Sequence, residues 1–211
     1  MGWESIELPD AEIALDRAWL PEPEADALFQ ALLDTVPWQV HRIRLFGREV
    51  DSPRLSCWIG DPDASYRYSG RRYEPHPWPP ALEPVRERLS VACGAGFNGV
   101  LANLYRDGRD AMGWHRDDER DLGPQPVIAS LSLGAARRFL LKKTSGVRTP
   151  HRPRAGSEKK SGRPPDAALE LGHGSLLVMR GATQCNYRHA LPRTRKPVGP
   201  RINLTFRQVL N

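Results

Sequence analysis

From Phe97 onward the chain is a succession of short apolar alternations: FNGVLANLY (97–105), MGWHRD (112–117), PVIASLSL (126–133), ARRFLLKK (136–143), AALEL (167–171), GSLLVMRG (174–181) and PRINLTFRQVL (200–210). Successive residues of a strand face opposite sides, so each stretch can turn one apolar face to a core. Turn signals such as RDGRD (106–110) and LGPQP (122–126) divide them. Many short strands separated in this way predict a sandwich or barrel-like β core.

Upstream the pattern is mixed. PEPEADALFQALLDTV (21–36) carries Ala25, Leu28, Phe29, Leu32, Leu33 and Val36 at helical spacing. Its leading Pro and Glu residues suit a first turn, and Pro37 ends it. ALEPVRERLSVACG (81–94) predicts a second helix closing at Gly94. Before these lie extended pieces at Ile6–Leu8 and Ala14–Leu20. WQVHRIRLFG (38–47), RLSCWIG (54–60) and YRYSG (66–70) read as hairpin strands, followed by the Pro-rich loop YEPHPWPP (73–80). Helices packed outside a β core make the fold α+β. The expected division is an N-terminal part (1–96) and a β core (97–211), forming one integrated domain.

One segment breaks the rhythm. Residues Thr144–Ala168 are rich in Arg, Lys, Pro, Gly and Ser and poor in apolar side chains. Such a stretch cannot bury enough surface to offset its ordering entropy, and reads as a long mobile loop. The chain as a whole has a formal net charge of +6, which suits a polyanionic partner and equally a solvated basic surface. Three cysteines without redox or zinc spacing point to a reducing compartment, with each thiol a small core group. The N-terminus has no signal-peptide pattern and no apolar run approaches membrane-spanning length, so the expectation is a cytoplasmic protein, nuclear in a eukaryote, with no membrane partner.

His115-Arg116-Asp117 is the first chemical signal. Positions i and i+2 of a strand share a face, so His115 and Asp117 can grip one ion. His189, from a distant strand, completes two imidazoles and one carboxylate, a set that suits non-haem Fe(II) oxygenases. Zinc accepts the same ligands, and an isolated HxD also arises by chance. The second signal is the last strand. Arg201, Asn203, Thr205 and Arg207 alternate with Ile202, Leu204 and Phe206, giving one cationic, polar face and one apolar face. On a surface strand this is ordinary; around a pocket the guanidinium forks could take a dicarboxylate. Asn103 and Tyr105 alternate in the same way just before the HxD.

Taken together, NLYRDGRDAMGWHRDDERDLG (103–123), PVIASLSLGAARRFLLKK (126–143), HGSLLVMRGATQCNYRHALP (173–192) and PRINLTFR (200–207) resemble the AlkB family of Fe(II)/2-oxoglutarate dioxygenases, in particular the homologues that repair alkylated DNA. The resemblance implies a double-stranded β-helix (jelly-roll) core with an N-terminal nucleotide-recognition lid of hairpins. It implies Fe(II) at His115, Asp117 and His189. The co-substrate 2-oxoglutarate is expected among Asn103, Tyr105, Arg201, Asn203, Thr205 and Arg207, with Arg201 on its distal carboxylate. With O2, the implied reaction releases succinate, CO2 and formaldehyde and restores bases such as 1-methyladenine and 3-methylcytosine in DNA.

An enzyme of this kind must act on single strands or flip its target out of the duplex. The resemblance places Asp118 and Glu119 against the extruded base and Tyr66, Tyr68 and Ser69 around it. Phe46, at a hairpin tip, is the expected wedge into the base stack. Trp58 and the tyrosines have core packing as their rival reading. Arg148, Arg152, Arg154, Lys159, Lys160 and Arg163 are candidates for phosphate contacts. The alternatives carried forward are an RNA demethylase of the same chemistry, a protein or small-molecule hydroxylase, and a nucleic-acid-binding module without turnover. A monomer is expected.

Overall fold

The structure is a computed structural model that describes residues 2–45, 48–68, 71–144 and 164–210, with backbone alone at 42–49 and 66–73 where these are described. Its strands in chain order are β1 (Trp3–Ser5), β2 (Glu12–Asp16), β3 (Gln39–Leu45), β4 (Arg48–Gly60), β5 (Tyr66–Tyr68), β6 (Arg71–Tyr73), β7 (Gly99–Tyr105), β8 (Met112–His115), β9 (Ile128–Gly134), β10 (Arg137–Lys143), β11 (Ala167–Leu171), β12 (Leu176–Arg180), β13 (Tyr187–Leu191) and β14 (Arg201–Arg207). The helices are α1 (Glu22–Thr35), α2 (Glu83–Cys93) and the single turn α3 (Thr183–Asn186).

Two antiparallel sheets make the β core. The major sheet runs β1-β2-β12-β9-β14-β7-β4-β3 and the minor sheet β11-β10-β13-β8; β5 and β6 form a separate hairpin. This is the sandwich-like β core expected of the alternating segments, in the jelly-roll form that the family resemblance implied. Strands from the N-terminal part join the same major sheet: β2 pairs with β12 and β4 with β7.

The alternation sorts side chains into two apolar layers. Even residues of β14 (Ile202, Leu204, Phe206) and odd residues of β9 (Ala129, Leu131, Leu133) face outward onto Ala25, Leu28 and Leu32 of α1 and Val85, Leu89 and Cys93 of α2. Each fully buried leucine there contributes roughly 2–3 kcal/mol by leaving water. A second layer lies between the sheets, with Ile128, Leu177 and Met179 against Phe139, Leu141, Leu169 and Tyr187. The opposite faces of β14 and β9 remain for a site between the sheets.

Both long helices follow the sequence reading. In α1 the chain turns extended at Val36, the residue before Pro37, which disfavours helical geometry in its predecessor. α2 closes at Gly94 in the left-handed region (φ 59°), with the Gly94 and Ala95 N–H groups bonded back to Val91 and Ser90.

Several boundaries differ. The N-terminal ladder is β1 with β2, so the extended pieces lie earlier than Ile6–Leu8 and end at Asp16 rather than Leu20. Tertiary pairing sets these ends, which local composition does not encode. The loop after β10 is bounded more tightly than Thr144–Ala168. Thr144 N–H bonds to the Asn186 carbonyl, Asp166 bonds to Leu141, and Ala167 opens β11. Residues 145–163, with all six candidate basic side chains, lie outside the described residues, as do Phe46 and Ser69.

Candidate active site

The metal-ligand candidates come together where β8 meets β13. His115 and His189 are register partners, with ring centroids 4.2 Å apart. The HxD is not wholly within a strand: β8 ends at His115, and Asp117 sits just past it. The Asp117 N–H donates to Gln184 Oε1 (3.0 Å), which anchors this turn to α3. One ligand atom from each of His115, Asp117 and His189 lies within 4.8 Å of the others.

Each group has an orientation fit for ligation. His115 Nδ1 donates to the Gly113 carbonyl (2.8 Å), which leaves the Nε2 lone pair for an ion. The His189 ring is stacked on Phe139 at 5.2 Å. Asp117 Oδ1 accepts from Arg207 Nη2 (2.6 Å), while Oδ2 is 3.9 Å from His189 Nε2. Burial lowers the pKa of both imidazoles, that of His189 to about 3, and so keeps the lone pairs unprotonated. Burial opposes the Asp117 carboxylate, but the Arg207 charge and its hydrogen bond outweigh it and hold its pKa below the usual range. Two neutral imidazoles and one carboxylate, each with one atom presented, fit a divalent iron ion.

Beside this cluster lies a cavity between the sheets, and the polar face of β14 is its wall. Arg201, Asn203, Thr205 and Arg207 all line it, as do Asn103 and Tyr105 of β7. Register explains the convergence: Arg201 pairs with Tyr105 and Asn203 with Asn103. Arg201 is 1% exposed. Its Nη2 donates to Ser132 Oγ (2.9 Å), and its guanidinium lies 5.4 Å from the Tyr105 ring centroid. Its Nε and Nη1 have no hydrogen-bond partner. Burial, with Arg137 nearby, lowers its pKa to about 10, still charged at neutral pH. A buried guanidinium with two unanswered donors is costly unless an anion arrives, so the cavity fits a carboxylate-bearing co-substrate.

The other predicted residues are placed differently. Asp118 is exposed and ion-paired with Arg116 (2.7 Å), and Glu119 is partly buried; neither is among the cavity-lining residues. Tyr66 and Tyr68 lie on β5, opposite Tyr73 and Arg71 of β6. Trp58 takes the core reading. It is 3% exposed, its Nε1 donates to the Ala64 carbonyl (2.8 Å), and it packs against Gly99, where any Cβ would overlap the indole. The cysteines divide: Cys57 and Cys93 are buried, and burial raises the Cys57 thiol to about 12, whereas Cys185 is exposed and not a core group.

Some site residues were not singled out from sequence. Buried Arg54 donates from Nε to Asn103 Oδ1 (2.8 Å), and Ser130 accepts from Asn203 Nδ2 (2.8 Å). The signal was available. In PVIASLSL the two serines alternate with leucines committed to the outer layer, and in RLSCWIG Arg54 alternates with Leu55, Cys57 and Ile59. Gln184 had no such signal, because its role depends on where α3 lands.

This jelly roll, with its His-Asp-His cluster beside an arginine-lined cavity, belongs to the 2OG-Fe(II) oxygenase superfamily, whose family model matches residues 13–207. Among curated proteins, DNA oxidative demethylase ALKBH2 of Bos taurus is 41% identical over 190 residues, taking in 89% of this chain and 65% of the bovine protein. ALKBH2 of Homo sapiens is 41% identical over 191 residues, with 89% and 69% covered. The human alpha-ketoglutarate-dependent dioxygenase alkB homolog 3 is 36% identical over 200 residues, with 94% and 66% covered. The chain thus spans about two thirds of the length of these relatives, and they bear out the AlkB-family resemblance. A solved structure named "The structure of OsALKBH1" superposes with a TM-score of 0.61 at 14% identity, covering 98% of this chain and 100% of that one, a likeness of fold. Fe(II) and 2-oxoglutarate are the metal and co-substrate of this superfamily, and the donor sets here accommodate both.

Proposed function

We propose that the chain removes alkyl groups oxidatively from DNA bases, 1-methyladenine and 3-methylcytosine among them, as an Fe(II)/2-oxoglutarate-dependent demethylase. The observation that carries this reading is the His115–Asp117–His189 cluster sharing a cavity with the buried Arg201 guanidinium, two of whose donors are unanswered. The relatives named as DNA oxidative demethylases supply the substrate class.

Iron held by His115, Asp117 and His189 would supply the oxygen chemistry: O2 would give one oxygen atom to 2-oxoglutarate, which would leave as succinate and CO2, and the other to the N-alkyl carbon, whose hydroxylated form would release formaldehyde. The chain's own work is binding, orientation and exclusion of water. Arg201 takes the distal carboxylate of 2-oxoglutarate, helped by Tyr105 and the Asn103–Asn203–Thr205 amide and hydroxyl groups. Arg207 fixes one oxygen of Asp117 and leaves the other for the ion. The buried walls exclude water from the reacting centre.

The N-terminal hairpins act as the recognition lid, with Tyr66, Tyr68 and Ser69 about the base, Asp118 and Glu119 beside it, and Phe46 entering the stack. The carboxylates favour cationic lesions such as 3-methylcytosine. The proposed enzyme works as a monomer inside the cell. Among the described residues no helix is long and apolar enough to cross a membrane.

The test is formaldehyde release from methylated oligonucleotides, single- and double-stranded DNA and RNA side by side, with Fe(II) or 2-oxoglutarate withheld in controls. Release that depends on both, and is greater from DNA, is expected. Greater release from RNA would reassign the substrate, and none from any arm would end the proposal.

A further inference from the structure

Arg137 is a buried guanidinium to which the active site as described gives no task. It stands on β10 two residues before Phe139, which lines the cavity, so both face inward from the minor sheet. Arg137 itself is not part of the cavity lining, but Tyr105 is, and the Arg137 guanidinium lies 6.0 Å from the Tyr105 ring centroid. The Arg201 guanidinium lies 5.4 Å from the same centroid. One phenol ring of the cavity wall therefore has two buried cations against it, one lining the cavity and one outside it.

The bonds of Arg137 show what it joins. Its Nη1 donates to the Asp107 carbonyl (3.1 Å), and its Nη2 to the carbonyls of Asp110 (2.9 Å) and Pro192 (2.7 Å). The first two belong to the turn that follows Tyr105, and the third to the chain that leaves β13. A rigid fork can meet three acceptors in fixed directions, which an ammonium cannot do as well. The same two loops meet again where the Thr194 N–H donates to the Gly108 carbonyl (2.9 Å), and any Cβ at Gly108 would overlap the Thr194 carbonyl.

All three acceptors of Arg137 are backbone carbonyls, so none brings a full negative charge. The carboxylates of the turn serve its own arginines: Asp107 is bonded to Arg109, and Asp110 to Arg106. The turn is thus balanced without Arg137, whose charge is left over. An arginine stays charged even where burial lowers its pKa, as it does here. Burial and, after it, the Arg137 charge lower the pKa of Arg201, so the two guanidiniums feel one another.

We propose that Arg137 is a positioning residue of the co-substrate pocket. It fixes Tyr105 and the turn after it beside Arg201, and its charge, added to that of Arg201, makes the pocket select keto acids with a second, distal carboxylate. That carboxylate meets the unanswered Nε and Nη1 of Arg201. A further cation a few ångströms behind Tyr105 attracts the same group through protein of low dielectric. A keto acid of equal length that ends in a methyl group gains nothing from either charge. The inference rests on Arg201 as the partner of the distal carboxylate, and the experiment separates the two.

Calorimetric titration of the Fe(II)-loaded full chain, without O2, compares 2-oxoglutarate with 2-oxopentanoate, which has a methyl in place of the distal carboxylate. The wild type should prefer 2-oxoglutarate by about two orders of magnitude, and Arg201→Met should abolish the preference. Arg137→Gln keeps donors for the carbonyls and loses the charge. It should weaken 2-oxoglutarate about tenfold and leave 2-oxopentanoate within about twofold. Arg137→Lys keeps the charge and should recover most of the preference. Thermal melting checks that each variant is folded, and Arg137→Met is a second neutral variant should the glutamine not fold. Equal weakening of both keto acids in a folded neutral variant would mark a structural clamp and overturn the inference, as would unchanged affinity for 2-oxoglutarate. A wild type without preference refutes the Arg201 reading and this inference with it. A preference lost in Arg201→Met but kept in the neutral Arg137 variants refutes the inference alone.

Discussion

Arg201 keeps a charge with 1% of its surface exposed and two of its donors unanswered. A group held that way costs stability in the free protein and returns it when an anion binds. Arg201→Met should therefore raise the melting temperature of the ligand-free protein, or leave it unchanged, while raising KM for 2-oxoglutarate by about two orders of magnitude. A structural role would move both measurements the other way: lower melting temperature, unchanged KM. Asp117 and His115 should separate similarly. Asp117→Ala removes the 2.6 Å acceptor of the buried Arg207 guanidinium and should cost about 3–5 kcal/mol of stability. His115→Ala, at the partly exposed end of β8, should cost much less. Both should abolish formaldehyde release and Fe(II) binding; turnover near wild type in either variant, under limiting iron, would refute the ligand assignment. At this scale the sequence picked out the three residues that cluster as candidate metal ligands, from the HxD and a distant histidine, and the two arginines of β14 that line the cavity, because alternation along that strand fixes which side chains share a face. It did not reveal the Gln184 contact with Asp117 or the ion pair between Arg207 and Asp117, which join residues 67 and 90 apart in sequence.

At the scale of elements, β14 shows how one strand serves two purposes. Its even residues belong to the helix-covered core and its odd residues line the cavity, so a one-residue slip against β7 would exchange them. Close packing of β4 on β7 protects that register. Trp58 lies over Gly99, the partner of both Arg207 on β14 and Gly60 on β4. Gly99→Ala should push the indole off its bond to the Ala64 carbonyl and cost about 1–3 kcal/mol, read as a lower melting temperature. An unchanged melting temperature would mean that β4 yields freely at this point. The strands around the site were legible from their alternation, and both long helices from periodicity and punctuation. β6, β13 and α3 were not separately drawn. They are three to five residues long, too short for any period to stand out, and their partners across the sheet define them.

At the scale of the whole molecule, burial of the site couples protonation to folding. In the folded, metal-free protein the His189 pKa lies near 3 and that of His115 below its ordinary 6.5. The unfolded chain therefore binds more protons as pH falls below about 6.5, and stability is lost progressively from there toward pH 3. Asp117, whose folded pKa is depressed, acts in the same direction below about 3.8. Melting temperatures of the metal-free protein should fall between pH 7 and pH 4, and His189→Gln should flatten the upper part of that slope. A flat profile in the wild type would mean the imidazoles are hydrated before unfolding.

The sequence by itself determined the jelly-roll class, the two helices, the candidate ligand triad and the polar face of the last strand, since each follows from local periodicity or from motifs with family-like context. Only the tertiary structure decided that β2 and β4 extend the same sheet as the core strands, that Asp117 is held by Gln184 and Arg207, and that Trp58 is core while Trp114 is exposed. These depend on which distant strands pair and in what register. Alternation gives a residue's face relative to its own strand, and only sheet packing decides whether that face meets a core, a cavity or water.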